Sequence, residues 1–256
     1  MGPTASSMRR SVLSALFAGL AGLSIMSDTA FADSTSPRVV MELFTSQGCS
    51  SCPPADRLVE ELSRNGDVLA MSLPVDYWDY LGWKDTLAKP EYSQRQRAYA
   101  AQRGDRSVYT PQIVVNGLEH VVGSNHPSVQ DAMERGAPLG VAVELKRNDM
   151  GIEARVSGDL PRKAKMATVV FISMSAREEV AIGRGENTGA TITYANVVKK
   201  MQPIGMWSGG VETFRMPKSE MQRSGAEKCA ILIQLEDESG PGQIIGAAAM
   251  DWSASR

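Results

Sequence analysis

The stretch Leu43 to Asp56, LFTSQGCSSCPPAD, decides how this chain is read. Two cysteines, Cys49 and Cys52, are separated by two serines and followed by two prolines. The run before them, VVMELFT (Val39–Thr45), is apolar and β-prone and reads as a buried strand. The run after them, ADRLVEELSR, sets Leu58, Val59 and Leu62 on one helical face and stops at Asn65-Gly66. A cysteine pair between a strand and a helix is an exchange centre, half of a metal site or a covalent staple. Its compartment and surroundings choose among the three.

Arg9-Arg10 precede an apolar run from Ser11 to Met26, and Ala30-Phe31-Ala32 has the A-x-A form of a cleavage site. Residues 1–32 therefore read as a signal peptide, and the mature chain is expected in the periplasm or outside the cell. The run falls short of the roughly 20 apolar residues a span needs, and no later segment is longer. No stable membrane span is expected after cleavage. The whole chain carries 27 basic and 29 acidic residues, a formal charge of −2. Losing Arg9, Arg10 and Asp28 leaves about −3, with Lys and Arg scattered, which excludes the basic footprint of a nucleic-acid binder. Three cysteines are too few for a disulfide scaffold. The mature length of roughly 220 residues suffices for an ordinary apolar core.

Outward from the cysteines, Val68–Asp76 reads as a second buried strand. PEYSQRQRAYAAQRG is a helix opened by Pro90 and closed by Gly104. PQIVV and LEHVVG flank an Asn116-Gly117 hairpin turn, and HPSVQDAMERG is a short last helix. The order is βαβαββα. Beyond Ala137 come a hairpin around Asn148–Gly151 and several short strands separated by Gly, Asn and Ser clusters, the texture of an antiparallel sandwich. The expected fold is thus an α/β domain (βαβαββα) at 37–136 followed by a mostly antiparallel β-sandwich domain at 137–256.

Cysteines spaced in this way after a strand, with Tyr109-Thr110-Pro111 before the third strand, resemble the thioredoxin architecture. The stretches VVMELFTSQGCSSCPPAD, LPVDYWDYLGWKD, YTPQIVVNG and GRGENTGATITYANVV are similar to one secreted bacterial thioredoxin-like family, catalogued as domain of unknown function 1223. The resemblance implies a cis-proline at Pro111 facing the dithiol, with the Tyr109-Thr110-Pro111 loop turned toward substrate. It also implies Cys49 as nucleophile and Cys52 as resolving thiol. Cys49, nearer the strand end, is expected to be the exposed sulfur, and Ser50 and Ser51 are available to donate hydrogen bonds to it. Two positions depart from the better-known thioredoxins. Cys52 precedes Pro53 and is expected outside helical dihedrals. Leu43 stands where those proteins bury a proton-accepting Asp, while Glu42 faces the other side of the sheet, so proton transfer falls to Asp76 or water.

Tyr77, Trp78, Tyr80 and Trp83 crowd one loop near the strand ends, where Trp78 either walls a substrate groove or packs over the sheet. GRGENTG (Gly183–Gly189) is a hairpin or bulge, or a partner-binding loop. Cys229 reads as a buried free thiol. The expected function is thiol–disulfide exchange on cysteine-containing exported proteins or with a redox partner protein, with no cofactor beyond the redox pair. The alternative is a non-catalytic secreted module that binds a partner or a metal and holds a structural disulfide. In a separate metal reading of the pair itself, the cysteines would be thiolates, and His120 and His126, the chain's two histidines, would complete a Cys₂His₂ or Cys₂His set.

Overall fold

The computed structural model describes residues 1–2, 34–237 and 240–252; beyond Met1 and Gly2, the signal segment read at 1–32 lies outside them. In chain order the elements are β1 (Ser34–Thr35), β2 (Val39–Thr45), α1 (Pro53–Leu62), β3 (Val68–Pro74), α2 (Pro90–Arg103), β4 (Gln112–Val115), β5 (Glu119–Val122) and α3 (His126–Arg135). There follow β6 (Ala142–Asn148), β7 (Gly151–Gly158), β8 (Ala167–Ala181), β9 (Thr191–Trp207), β10 (Gly210–Pro217), α4 (Lys218–Ser224), β11 (Lys228–Asp237) and β12 (Gly240–Asp251).

Strands β2 and β3 pair in parallel and are buried at every residue, as strands covered on both faces must be. Alternation sends Met41 and Leu43 to one face, against Ala55 and Val59 of α1 and Val129 of α3. It sends Val40 and Phe44 to the other, against Tyr92 and Tyr99 of α2. Each fully buried side chain of this size contributes roughly 1.5–3 kcal/mol. β4 pairs antiparallel with β2 and turns into β5 through Asn116 and Gly117, both at positive φ.

Past residue 137 the architecture departs from expectation. The strands do not form a separate sandwich beside a finished thioredoxin-like domain. One mixed nine-stranded sheet runs β1-β12-β11-β8-β9-β3-β2-β4-β5, and four α-helices lie among the described residues. β6, β7 and β10 make a three-stranded sheet, and its apolar residues pack with those of β8, β11 and β12 around Trp207 and Phe171. The seam is the pairing of Ser72 on β3 with Val197 on β9. Around it, Ser72 Oγ donates to the Ala195 carbonyl (2.9 Å) and Asn196 Nδ2 donates to the Ala70 carbonyl (2.8 Å).

Helix α2 ties the two halves together. Arg95 and Glu42 form a buried ion pair (Nε to Oε1, 2.6 Å). Arg95 also donates to Gln234 of β11 (2.9 Å), and Tyr99 donates its hydroxyl hydrogen to Glu42 (2.6 Å). The strands expected to be short are long, 15 residues in β8 and 17 in β9. Pro203 lies within β9, and its missing N–H falls opposite a register shift at Val169/Val170.

Candidate functional site

Cys49 and Cys52 form a disulfide, with Cα atoms 5.4 Å apart, in the loop between β2 and α1. Cys52 caps α1 with helical dihedrals (φ −79°, ψ −36°), contrary to the expectation set by Pro53. Proline at the first helical position forfeits no hydrogen bond, and Asp56 N donates to the Cys52 carbonyl (3.1 Å), so the residue before the proline is drawn into the first turn. Ser51 Oγ lies 3.5 Å from Cys49 Sγ. The expected exposure of Cys49 is not found: Cys49 is 2 % exposed and Cys52 is fully buried. The exposed residues of the loop are Ser50 and Ser51.

Two other segments bond directly to the cysteine loop and a third reaches it through intermediaries. The first is the loop after β3. Gln47 N donates to Asp85 Oδ2 (2.8 Å), and Gln47 Oε1 accepts from Trp83 Nε1 (2.8 Å). Asp85 Oδ1 also takes the N–H groups of Leu87 and Ala88 (2.8 and 3.0 Å). The second is 183–189, where Asn187 Nδ2 donates to the carbonyls of Gln47 (3.0 Å) and Cys49 (2.9 Å). The third is the segment 109–111, with a cis bond between Thr110 and Pro111.

Two links connect that proline loop to Gly48 before the cysteines and to Ala55 after them. Trp78 packs so closely on Gly48 that a Cβ there would lie 3.1 Å from Trp78 Cβ, and Trp78 Nε1 donates to Thr110 Oγ1 (2.8 Å). Gly123 N donates to the Pro111 carbonyl (2.9 Å), and a Cβ on Gly123 would meet Ala55 of α1 at 3.0 Å. Trp78 is therefore a bracket between the cysteine loop and Thr110, while Tyr80 at the tip of its loop is 78 % exposed.

Tyr109 sits at the edge, its hydroxyl on His120 Nδ1 (2.9 Å) and its carbonyl held by Gln96 Nε2 (2.8 Å). Gln96 Nε2 also donates to Gln112 Oε1, which leaves Gln112 Nε2 to donate to His120 Nδ1. That chain leaves the His120 proton on Nε2, 3.6 Å from Asp105 Oδ2. His126 instead opens α3. Among the described residues no three His, Cys, Asp or Glu side chains cluster as metal ligands. Cys229 is a buried free thiol, its pKa pushed up to about 12 by burial.

The group that sequence reasoning missed is Asp56, although it closes the quoted stretch. It lies one helical turn after Cys52, a spacing that puts Cβ atoms about 5–6 Å apart on one face. Its carboxyl is buried at the end of β2, with Oδ1 accepting from Thr45 Oγ1 (2.7 Å) and Oδ2 without a partner among the described residues. Burial pushes its pKa up to about 8, opposed by the Thr45 hydrogen bond and assisted by the charge of Asp85. The Tyr194 hydroxyl is buried and likewise has no partner among the described residues, its pKa raised by burial and by the charges of Asp56 and Asp85. Asp85 is itself raised by burial against three backbone donors. Asp76, which the sequence offered beside water as proton acceptor, accepts from Ser93 Oγ at 2.5 Å.

A crystal structure of protein AGR_C_4864 from Agrobacterium tumefaciens is 34 % identical in sequence and superposes with a TM-score of 0.76, covering 86 % of this chain and 96 % of that one. HBP35 of Porphyromonas gingivalis, 12 % identical, shares the fold with a TM-score of 0.57 over 87 % of this chain and 77 % of its own. No curated protein matches. The family model described as protein of unknown function, DUF1223, matches residues 40–234, a span that holds the disulfide, all three segments around it and Asp56. On that match and the identity to the Agrobacterium protein, the chain belongs to the DUF1223 family.

Proposed function

We propose that the Cys49–Cys52 disulfide is a two-electron exchange centre that trades electrons with thiols of exported proteins or of a redox partner protein. The observation that carries this reading is the half-satisfied carboxyl of Asp56 one turn from Cys52. An unpaired buried polar oxygen costs about 1–3 kcal/mol, and a permanent disulfide has no use for it. A disulfide that is reduced and re-formed does, because its thiols bind and release protons. In the exchange, a partner thiolate attacks Cys49 Sγ, the Cys49–Cys52 bond breaks, and Cys52 leaves with the electron pair. Cys52 then takes the proton that Asp56 holds. A second partner thiolate displaces Cys49, so the partner dithiol is oxidised to a disulfide while this one is reduced. In the reverse direction Asp56, as carboxylate, takes the Cys52 proton.

The decisive measurement is the potential of the pair against dithiothreitol or glutathione buffers, with a Cys52→Ala variant used to trap mixed disulfides from a periplasmic extract. A potential between about −270 and −120 mV together with a trapped adduct supports exchange; one below about −300 mV sinks it. A second reading, a binding module with a structural bridge, is favoured by the burial of both cysteines. It predicts that deep potential and no adduct.

A further inference from the structure

Segment 183–189 is glycine-rich, follows β8 and leads into β9. It makes two kinds of bond with the cysteine loop, and both go to the main chain. Glu186 Oε2 accepts from Ser50 N (3.2 Å), while Asn187 Nδ2 donates to the Gln47 and Cys49 carbonyls. These are the acceptor and donor that an extended polypeptide would present if it lay along residues 47–50. The backbone of 183–189 is seated on Trp83, close enough that Cβ atoms added at Gly183 and Gly185 would lie 3.1 and 3.4 Å from that side chain. Thr188 Oγ1 closes the loop on the Gly185 carbonyl (2.5 Å). In the loop so bound, Cys49 is shut away from solvent, although the neighbouring Ser50 and Ser51 are exposed.

We propose that Glu186 and Asn187 form a clasp that stands in for the main chain of a partner segment, and that a thiolate reaches Cys49 only when the clasp lets go. This rests on the exchange reading of the same disulfide. A thiolate attacking Cys49 Sγ must approach along the S–S axis with Cys52 as leaving group, and a covered sulfur offers no such path. A partner that offers its own carbonyl to Ser50 N and its own N–H groups to the Gln47 and Cys49 carbonyls replaces all three bonds the clasp makes to the cysteine loop. The substrate class is accordingly an extended, cysteine-bearing segment of a polypeptide rather than a free small thiol.

The test reduces the oxidised full chain with dithiothreitol at fixed pH, reads free thiols by alkylation and mass, and compares it with Asn187→Ala and Asn187→Asp. The aspartate keeps the size of the side chain but sets a carboxylate against two carbonyl oxygens, so it opens the clasp without emptying the space. Both variants are expected to be reduced at least tenfold faster per unit of dithiothreitol. Hydrogen exchange at 46–52 and at 183–189 is expected to rise together in them, while exchange in β2 and β3 holds as the check on folding. Rates within twofold of the parent, with all three proteins readily reduced, overturn the clasp and leave the exchange centre standing. A disulfide that resists reduction in all three until the chain is unfolded overturns both.

Discussion

Replacing Asp56 by Asn isolates the most costly feature of the site. The amide keeps the shape and still accepts from Thr45 Oγ1, but it carries no proton equilibrium. In the folded protein burial raises the Asp56 pKa from 3.8 to about 8, whereas the unfolded chain titrates near the ordinary carboxyl value. Below the lower value both states hold the proton and the group has no effect on the pH dependence. Between the two values the folded state retains a proton that the unfolded state releases, so stability falls as pH rises, by about 1.4 kcal/mol per pH unit. Above pH 8 the full penalty of about 6 kcal/mol is reached, an order-of-magnitude figure from the same conversion. Urea unfolding of the oxidised parent and Asp56→Asn proteins from pH 4.5 to 9 should therefore diverge. The variant gains about 4 kcal/mol on the parent by pH 7, relative to their difference near pH 4, and the gain levels off past 8. If the two curves run parallel across that range, Asp56 is ionised in the folded protein and its role as proton carrier for Cys52 is refuted.

Breaking the buried pair with Arg95→Met strands Glu42 under α2 and should lower stability by about 3–5 kcal/mol in denaturant titrations. Reducing the disulfide opens a loop of sequence separation 3, so by chain entropy the fold should lose only about 2 kcal/mol and stay cooperative, with calorimetry as the check. His120 should titrate by NMR below its usual 6.5, because burial and Arg103 disfavour its cation against the opposing charges of Asp105 and Glu119. Its contribution to stability is present above pH 6.5 and lost as pH falls, and Asp105→Asn should move the midpoint lower still. A midpoint above 6.5 contradicts the network assigned to it.

Local patterns in the sequence carried local structure well. VVMELFT, the prolines that open α1 and α2, Gly104 after α2 and Asn116-Gly117 each state their conformation within a few residues, and the fold has them where the patterns put them. What failed was pairing over long distances. The apolar run of β9 reads as a strand, but nothing in it says that its partner is β3, some 120 residues earlier, rather than a neighbour in a second sheet. β9 reads as one short strand yet runs for 17 residues, its register shifted by irregularities that do not show in periodicity. The proposed proton carrier was legible and overlooked, since Asp56 stands four residues after Cys52 on the helix that opens at Pro53. Asn187 was not legible, because its bonds to Gln47 and Cys49 span about 140 residues and amides recognise any carbonyl.

The crossing of α2 over both halves of the large sheet has a practical edge. A gene cut near Gly136 would yield a polypeptide in which Arg95 loses Gln234 and β3 offers a bare flank to any passing strand. Such a piece is expected to precipitate rather than fold, and work on the cysteines alone requires the entire length of chain that shelters them.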